Sequence, residues 1–337
     1  MTETLDVIAS PPEAPAIPGL VYRRWRDRSD FARMVEVSNR ANRADGNHWV
    51  TTAESMESQY SHLTNSSIQD DLILVQVGDE VVAYGRVEWW DEQAGYRIYM
   101  LFGHVVPEWR RRGIGASMYA LNERRIRQIA AGHATDLPRF FQSAARDTAV
   151  GNEALLRANG FEPVRHSFEM SRDLAQPIGS TELPAGIEVR TPAPKQYRQV
   201  WEADMEAFRD HWGFREPTEK DYQAWLSWPN FAPAIWQVAW AGDEVVGMVL
   251  NFVNHEENAS MKMRRGYTEG ISVRRPWRKR GVASALINRS LLMFREMGMT
   301  EAALGVDTEN LSGALRVYEA SGFRPLSRGT TYRKPLA

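Results

Sequence analysis

At 337 residues the chain is long enough for two domains, each able to bury a core. Its formal net charge of −2, from 41 basic and 43 acidic residues, gives no global reason to expect nucleic acid or a membrane surface as partner. With no cysteine, disulfides, thiol catalysis and cysteine-type zinc sites are excluded; the 7 histidines show no metal spacing, so no metal is expected. No apolar run approaches the roughly 18 residues of a membrane span. A cytoplasmic protein, monomeric or homodimeric, is expected.

Residues 1–18 are acidic and proline-rich, without the basic and apolar regions of a signal peptide. They read as a disordered or extended tail. A strand follows from Leu20 (LVYRRW), then helices over Asp30–Ala44 and Thr52–His62. LILVQVGDEVVAYGRVEWW has an apolar run, a Gly-Asp turn and a second run, which is a hairpin signal. YRIYMLFGHVV is a further strand leading into EWRRRGIGAS, Glu108–Ser117. A helix follows, with Ile114, Met118, Leu121, Ile126 and Ile129 near helical spacing. RFFQSAA is a strand. The short helix after it stops at Gly160, with Phe161 as the apolar contact behind a left-handed stop.

The series then repeats. GDEVV occurs at Gly78–Val82 and Gly242–Val246. EWRRRGIGAS is echoed by PWRKRGVASA at Pro276–Ala285, and NGFEP at Asn159–Pro163 by SGFRP at Ser321–Pro325. Three landmarks in one order at nearly one spacing indicate a duplicated mixed α/β domain. The second copy has a strand from Ile187, helices over Lys195–Asp210 and Glu219–Ser227, and a hairpin in AIWQVAWAGDEVVGMVLNFV. It continues with the strand RGYTEGISV, a helix with Ala283, Ile287, Leu291 and Phe294 on one face, the strand EAALGVD and a stop at Gly322. The expected domains are 19–173 and 187–337, joined by a Pro/Gly/Ser/Thr-rich linker at 174–186.

A strand that enters a glycine turn and then a helix presents unpartnered backbone N–H groups at the positive end of the helix dipole. Gly281 and Gly113 allow close approach of an anion. Arg278, Lys279 and Arg280 add charge around it, as do Arg110, Arg111 and Arg112 in the first copy. A pyrophosphate suits this cradle. The spacing fits neither the nucleotide P-loop nor the dinucleotide fingerprint. A solvated basic surface loop is the alternative for either run alone.

Arg278-x-x-Gly281-x-Ala283 and Arg110-x-x-Gly113-x-Gly115 resemble the acetyl-coenzyme A loop of the GNAT-type N-acetyltransferase superfamily. So does the later stretch with Asn310, Ala314, Leu315, Tyr318, Gly322 and Phe323. The resemblance covers each half almost end to end and implies a tandem pair. It implies a mostly antiparallel central sheet flanked by helices, with acetyl-coenzyme A as donor. It further implies cofactor contacts at Ile271, Ser272, Val273, Arg278, Lys279, Arg280, Gly281, Val282, Ala283, Ser284 and Asn310, and Tyr318 as general acid. A candidate second cofactor site in the first copy would use Val105, Arg110, Arg111, Arg112, Gly113, Ile114, Gly115 and Ala116.

An alkylammonium of pKa about 10.4 must lose a proton before it can attack. Glu269, on the strand before the loop, is the candidate general base; an ordinary solvent-facing strand carboxylate is the alternative. In the first copy the aligned positions hold Leu101 for Glu269, Leu156 for Tyr318 and Thr148 for Asn310. Leucine moves no proton, so the C-terminal copy is expected to catalyse. The family grips its acceptor with the first two helices and their connecting loop. That loop here carries His211, Trp212 and Phe214, with Trp225 and Trp228 beyond, as aromatic contacts for an apolar or cationic amine. The expected function is acetyl transfer to a primary amine of a small molecule. A catalytically silent acyl-coenzyme A-binding protein and a protein or peptide N-acetyltransferase remain the alternatives.

Overall fold

The computed structural model describes residues 6–134, 136–310 and 313–337. The expected tail lies partly outside them, at residues 1–5. The chain forms two compact units, Met1–Val164 with Thr330–Ala337, and Arg165–Gly329.

In the first unit, β1 (Val7–Ile8) pairs antiparallel with β2 (Leu20–Arg23). Ala14 and Ile17 pack on the core, so this part of the expected tail is ordered against the sheet. Helices α1 (Ser29–Ala44) and α2 (Ala53–Ser61) follow, the latter capped by Thr52, whose side chain accepts from the Ser55 N–H. The hairpin is β3 (Leu72–Val77) and β4 (Glu80–Glu92), with Gly78 at φ 58° in its turn. Then come β5 (Tyr96–Val105), α3 (Ile114–Ala131), β6 (Arg139–Arg146) and α4 (Val150–Ala158). β5 runs antiparallel to β4 and parallel to β6, joined by the crossover through α3.

The second unit begins within β7 (Glu162–Asp173), whose residues Ser167–Asp173 pair antiparallel with β12 (Glu301–Asp307). After β8 (Glu188–Val189) come α5 (Tyr197–Phe208) and α6 (Glu219–Leu226), the latter held by a Thr218–Asp221 capping box. β9 (Gln237–Ala241) and β10 (Glu244–Phe252) form the hairpin. Helix α7 (His255–Met261) was not expected from the sequence. Its signal is Asn254, whose side chain accepts from the Glu257 N–H ahead of two acidic first-turn residues. β11 (Arg265–Val273), α8 (Val282–Glu296), β12, α9 (Ala314–Ala320) and β13 (Arg324–Pro335) complete the chain. β10 and β11 are antiparallel, β11 and β12 parallel.

The units differ from the expected domain bounds in two segments. Residues 165–173 were assigned to the first domain but count with the second, because they supply the strand beside β12. Residues 330–337 count with the first unit, where Tyr332 and Leu336 join the core of Tyr99, Phe141 and Phe161, and the Leu336 N–H donates to Arg139 O at 2.9 Å. An apolar end strand follows the core that buries it. Both glycine stops form as expected: Gly160 and Gly322 have φ of 80° and 88°. The N–H groups of Phe161 and Phe323 reach back to Leu156 O and Tyr318 O, and both rings are buried.

Candidate active site

β11 carries a bulge. Met248 pairs with Ser272 and Leu250 with Glu269, so β11 has one more residue in this interval than β10. The extra residue falls at Gly270, whose φ is 54°. A Cβ there would lie 2.9 Å from Leu250 Cγ and Cδ1, so both backbone and space require glycine. The bulge interrupts the ladder at Gly270 and Ile271, at the start of the segment expected to line the thioester, Ile271–Val273. In the first unit β4 and β5 pair without a break from Ala83–Val105 to Glu92–Tyr96.

The cradle is built alike in both units. Gly281 and Gly113 are the N-cap residues of α8 and α3, at φ 82° and 86°, and no side chain caps either helix. The Ala285 N–H takes Gly281 O at 3.0 Å, which leaves the N–H groups of Val282, Ala283 and Ser284 without a helical partner. Ile114, Gly115 and Ala116 stand in the same way, since the Ser117 N–H takes Gly113 O. Lys279 and Arg111 lie at φ 61° and 59°, uncommon for residues with a Cβ, and bend the loop toward the helix start. A Cβ at Gly281 would meet nothing within 4 Å, whereas one at Gly113 would lie 3.3 Å from Pro15. The open, uncapped turn at Gly281 fits a pyrophosphate.

The arginines divide the labour. Arg278 donates through Nε to Val273 O at 2.9 Å, through Nη1 to Asp210 at 3.0 Å and through Nη2 to Ala207 O at 3.1 Å. Its guanidinium thus ties the loop to the end of α5 rather than facing outward, and the Asp210 carboxyl, beside Arg275 and Arg278, is held down at about 2. Arg110 does the same with Val105 O, Ala41 O and Asp45. Arg280 lies over Trp277 at 5.1 Å and Arg112 over Trp109 at 4.7 Å.

Glu269 is half-buried, and its Oε1 accepts from the Gly305 N–H at 2.9 Å. Burial, reinforced by the charge of Glu169, lifts its pKa to about 7 against the lowering effect of that one hydrogen bond. Tyr318, from α9, is buried, and burial followed by the Glu269 charge raises its pKa. Glu269 on β11 and Tyr318 on α9 are near enough for the Glu269 charge to act on the phenol. Sequence reasoning missed Asp204 on α5. Its carboxyl is buried beside Ser272 and is raised to about 7 by burial. An acidic residue on the apolar face of α5, among Val200, Trp201, Ala203 and Ala207, was the available signal.

The bulge also refines the comparison between copies. Counted from the Gly-Asp turns, Leu250 stands where Arg86 stands. Arg86 pairs with Phe102, and Leu250 with Glu269. The residue in register with Glu269 is therefore Phe102, not Leu101, because β11 gains a residue that β5 lacks. Leu156 does correspond to Tyr318, each accepting from the phenylalanine behind the glycine stop. Neither replacement ionises. In the first unit the cradle opens on a cavity of ≈1040 Å³, lined among others by Gly113, Gly115, Leu101, His104 and Leu156. Burial depresses the His104 pKa to about 4.

The acceptor residues separate. His211 Nε2 lies 3.5 Å from Asn310 Nδ2, and burial lowers its pKa. Trp212 sits beside Arg165, which forms an ion pair with Asp307 at 2.8 Å. Phe214 is half-buried in the same α5–α6 connection. Trp225 is packed with Phe231 and Trp236 as part of the core. Trp228 meets Phe252, which stacks on Tyr267 at 4.8 Å, two residues along β11 from Glu269. Among the described residues no acidic or histidine cluster could hold a metal, and no helix is long and apolar enough to cross a membrane.

A strand interrupted by a bulge, an uncapped glycine turn and a helix together form an open anion cradle. The profile of the "Acetyltransferase (GNAT) family" matches residues 197–323. A protein of Thermobispora bispora named mycothiol acetyltransferase is 28% identical over 268 residues, 78% of this chain and 83% of that one. A GCN5-related N-acetyltransferase structure from Sphaerobacter thermophilus superposes with a TM-score of 0.69 at 24% identity, covering 97% of both chains. A tandem GNAT protein from the clavulanic acid biosynthesis pathway superposes at 0.67 and 16% identity, over 94% of this chain and 98% of that one. Residues 197–323 belong to the GNAT acetyltransferase family, the fold is made twice, and the chain is an acetyl-CoA-dependent N-acetyltransferase.

Proposed function

We propose that the second unit transfers the acetyl group of acetyl-CoA to a primary amine of a small molecule. The observation that carries this reading is the Glu269–Tyr318 pair beside the β11 bulge, with Phe102 and Leu156 at the corresponding positions of the first unit. Bound acetyl-CoA supplies an activated acetyl thioester whose departing thiolate is a tolerable leaving group. The N–H groups of Val282, Ala283 and Ser284, with the α8 dipole, hold its pyrophosphate. The interrupted ladder at Gly270 and Ile271 frees backbone to polarise the acetyl carbonyl.

Glu269 suits a base at neutral pH. A carboxylate raised to about 7 is largely ionised just above neutrality and a better proton acceptor than one near 4. Tyr318, with its pKa raised, stays protonated and can give its proton to the thiolate. The relatives named mycothiol acetyltransferase support a small-molecule acceptor, and the Trp228–Phe252–Tyr267 face supports a cationic or apolar one. The first unit, whose cavity includes the cradle but no proton-transfer pair at these positions, is read as a coenzyme A holder without turnover.

Purified protein with acetyl-CoA and a panel of small amines should release free thiol and acetylated amine. Thiol release on no amine, with acetylation of peptide N-termini instead, would overturn the small-molecule reading.

A further inference from the structure

The two copies differ at a second place, far along the helix from the cradle. In the first unit Glu123 on α3 lies between two cations. Its Oε1 accepts from Arg127 Nη2 at 2.7 Å, and both carboxylate oxygens lie 3.3 Å from Lys334 Nζ, which also donates to Tyr119 OH at 3.0 Å. This is a closed cation–carboxylate–cation cluster.

Internal landmarks fix the corresponding residues of the second unit. α3 and α8 start at Gly113 and Gly281, so equal steps place Leu291 at Glu123, Arg295 at Arg127 and Ile287 at Tyr119. The end strands match through Leu336 and Leu174, whose N–H groups take Arg139 O and Thr300 O, both at 2.9 Å. Two residues earlier stand Lys334 and Arg172. Each lies against its helix-stop glycine: a Cβ at Gly160 would be 3.9 Å from Lys334 Cδ, and one at Gly322 only 2.7 Å from Arg172 Nε. Both cations are therefore kept in the second unit, while the carboxylate between them has become a fully buried leucine.

The consequence is visible at Arg172. It is 4% exposed, yet among the described residues its Nε and Nη1 have no hydrogen-bond partner, and only Nη2 is used, on Pro177 O. Asp173, next along the strand, accepts from the Ala175 N–H at 2.8 Å, and its charge opposes but does not cancel the effect of burial on Arg172. Arg295, exposed at the end of α8, is near enough that its charge adds to burial in lowering the Arg172 pKa. A guanidinium cannot shed its charge at physiological pH, so a buried one with free donors beside a second cation is strongly unfavourable by itself.

We infer that the second unit binds a small oxyanion, carboxylate or phosphate, between Arg172 and Arg295, in the role that the Glu123 side chain fills in the first unit. One of the free donors of Arg172, together with the second hydrogen of Nη2, makes a parallel pair for such a group, and Arg295 closes it from the surface. The site sits at the C-terminal end of α8, with the pyrophosphate cradle at the opposite end, so its ligand is separate from the acetyl donor.

The test is thermal unfolding of the full chain saturated with coenzyme A, which occupies the cradles. Inorganic phosphate is titrated against sodium chloride at equal ionic strength, with sodium acetate as a second arm. A saturable rise of about 2–4 °C with phosphate or acetate is expected; the arm that saturates at lower concentration identifies the preferred oxyanion. Arg295→Gln, an exposed change, should abolish most of the rise. Leu291→Glu should restore the first unit's arrangement and make the midpoint indifferent to either anion. No saturable rise, a rise matched by chloride, or a rise undiminished in Arg295→Gln would overturn the inference, and the last two hold even if Leu291→Glu does not fold.

Discussion

The Gly305 N–H donates to Glu269 Oε1 at 2.9 Å, and among the described residues this is the hydrogen bond that offsets the burial of that carboxyl. One backbone donor steadies the side chain without lowering its pKa to the ordinary range. The carboxylate is thereby oriented and left basic.

Activity should rise with pH on a limb with apparent pKa about 7, because Glu269 must be ionised to accept a proton. Glu269→Gln should lower kcat by about 10²–10⁴-fold and remove that limb. Tyr318→Phe should lower kcat by about 10-fold or more with the limb retained. Steady-state pH profiles on the preferred amine check both; a limb that persists in Glu269→Gln assigns the base elsewhere, with Asp204 next in line.

The same shift has a sign for stability. Glu269 and Asp204 are raised above their ordinary values, so the folded chain binds more protons than the unfolded chain between about pH 4 and 7. Their contribution is full below that window and is lost as pH rises through about 7. Glu269→Gln should therefore be more stable than the parent at pH 8, by about 1–3 kcal/mol, and nearly equal to it at about pH 3.5. Urea unfolding at the two pH values measures the difference.

Arg278 ties the cradle loop to the end of α5. Arg278→Ala should raise KM for acetyl-CoA by about 10-fold with a smaller change in kcat, since it frees the loop from Val273, Ala207 and Asp210. Lysine should not rescue it, because one ammonium cannot replace three donors in a plane. Kinetics at varied acetyl-CoA separate the two parameters.

Gly270→Ala places a Cβ 2.9 Å from Leu250 at a left-handed φ. It should destabilise the second unit by about 1–3 kcal/mol and lower kcat more than it raises KM for acetyl-CoA. A rise in KM for acetyl-CoA with kcat unchanged would mean that the bulge serves binding alone.

Calorimetry should detect two equivalents of coenzyme A per chain if the first unit's cavity holds it. Arg110→Ala, which loosens only the first cradle, should then leave one equivalent and unchanged thiol release. One equivalent in the parent chain would remove the first unit from cofactor binding.

Much of this was legible without coordinates. The duplication, the hairpins, the glycine stops and both cradles follow from local patterns: a Gly-Asp turn, apolar spacing, and a glycine where the backbone must turn left-handed. The leucine in place of tyrosine in the first copy could also be read. Other features could not. The bulge at Gly270 shifts the strand by one residue, which a fixed spacing between copies cannot register. The occupation of Arg278 by Asp210 and two carbonyls depends on where α5 ends beside the loop. The grouping of strand 165–173 with the second unit and of residues 330–337 with the first depends on which core buries each strand.

The sequence alone therefore determined the kind of domain, its repetition and the anion cradle, because each is written in residues close together along the chain. Only the tertiary structure decided the basicity of Glu269, the roles of the arginines and the unpartnered donors of Arg172. Burial and charge at those groups come from neighbours distant in sequence, and it is burial that sets the cost of a charge.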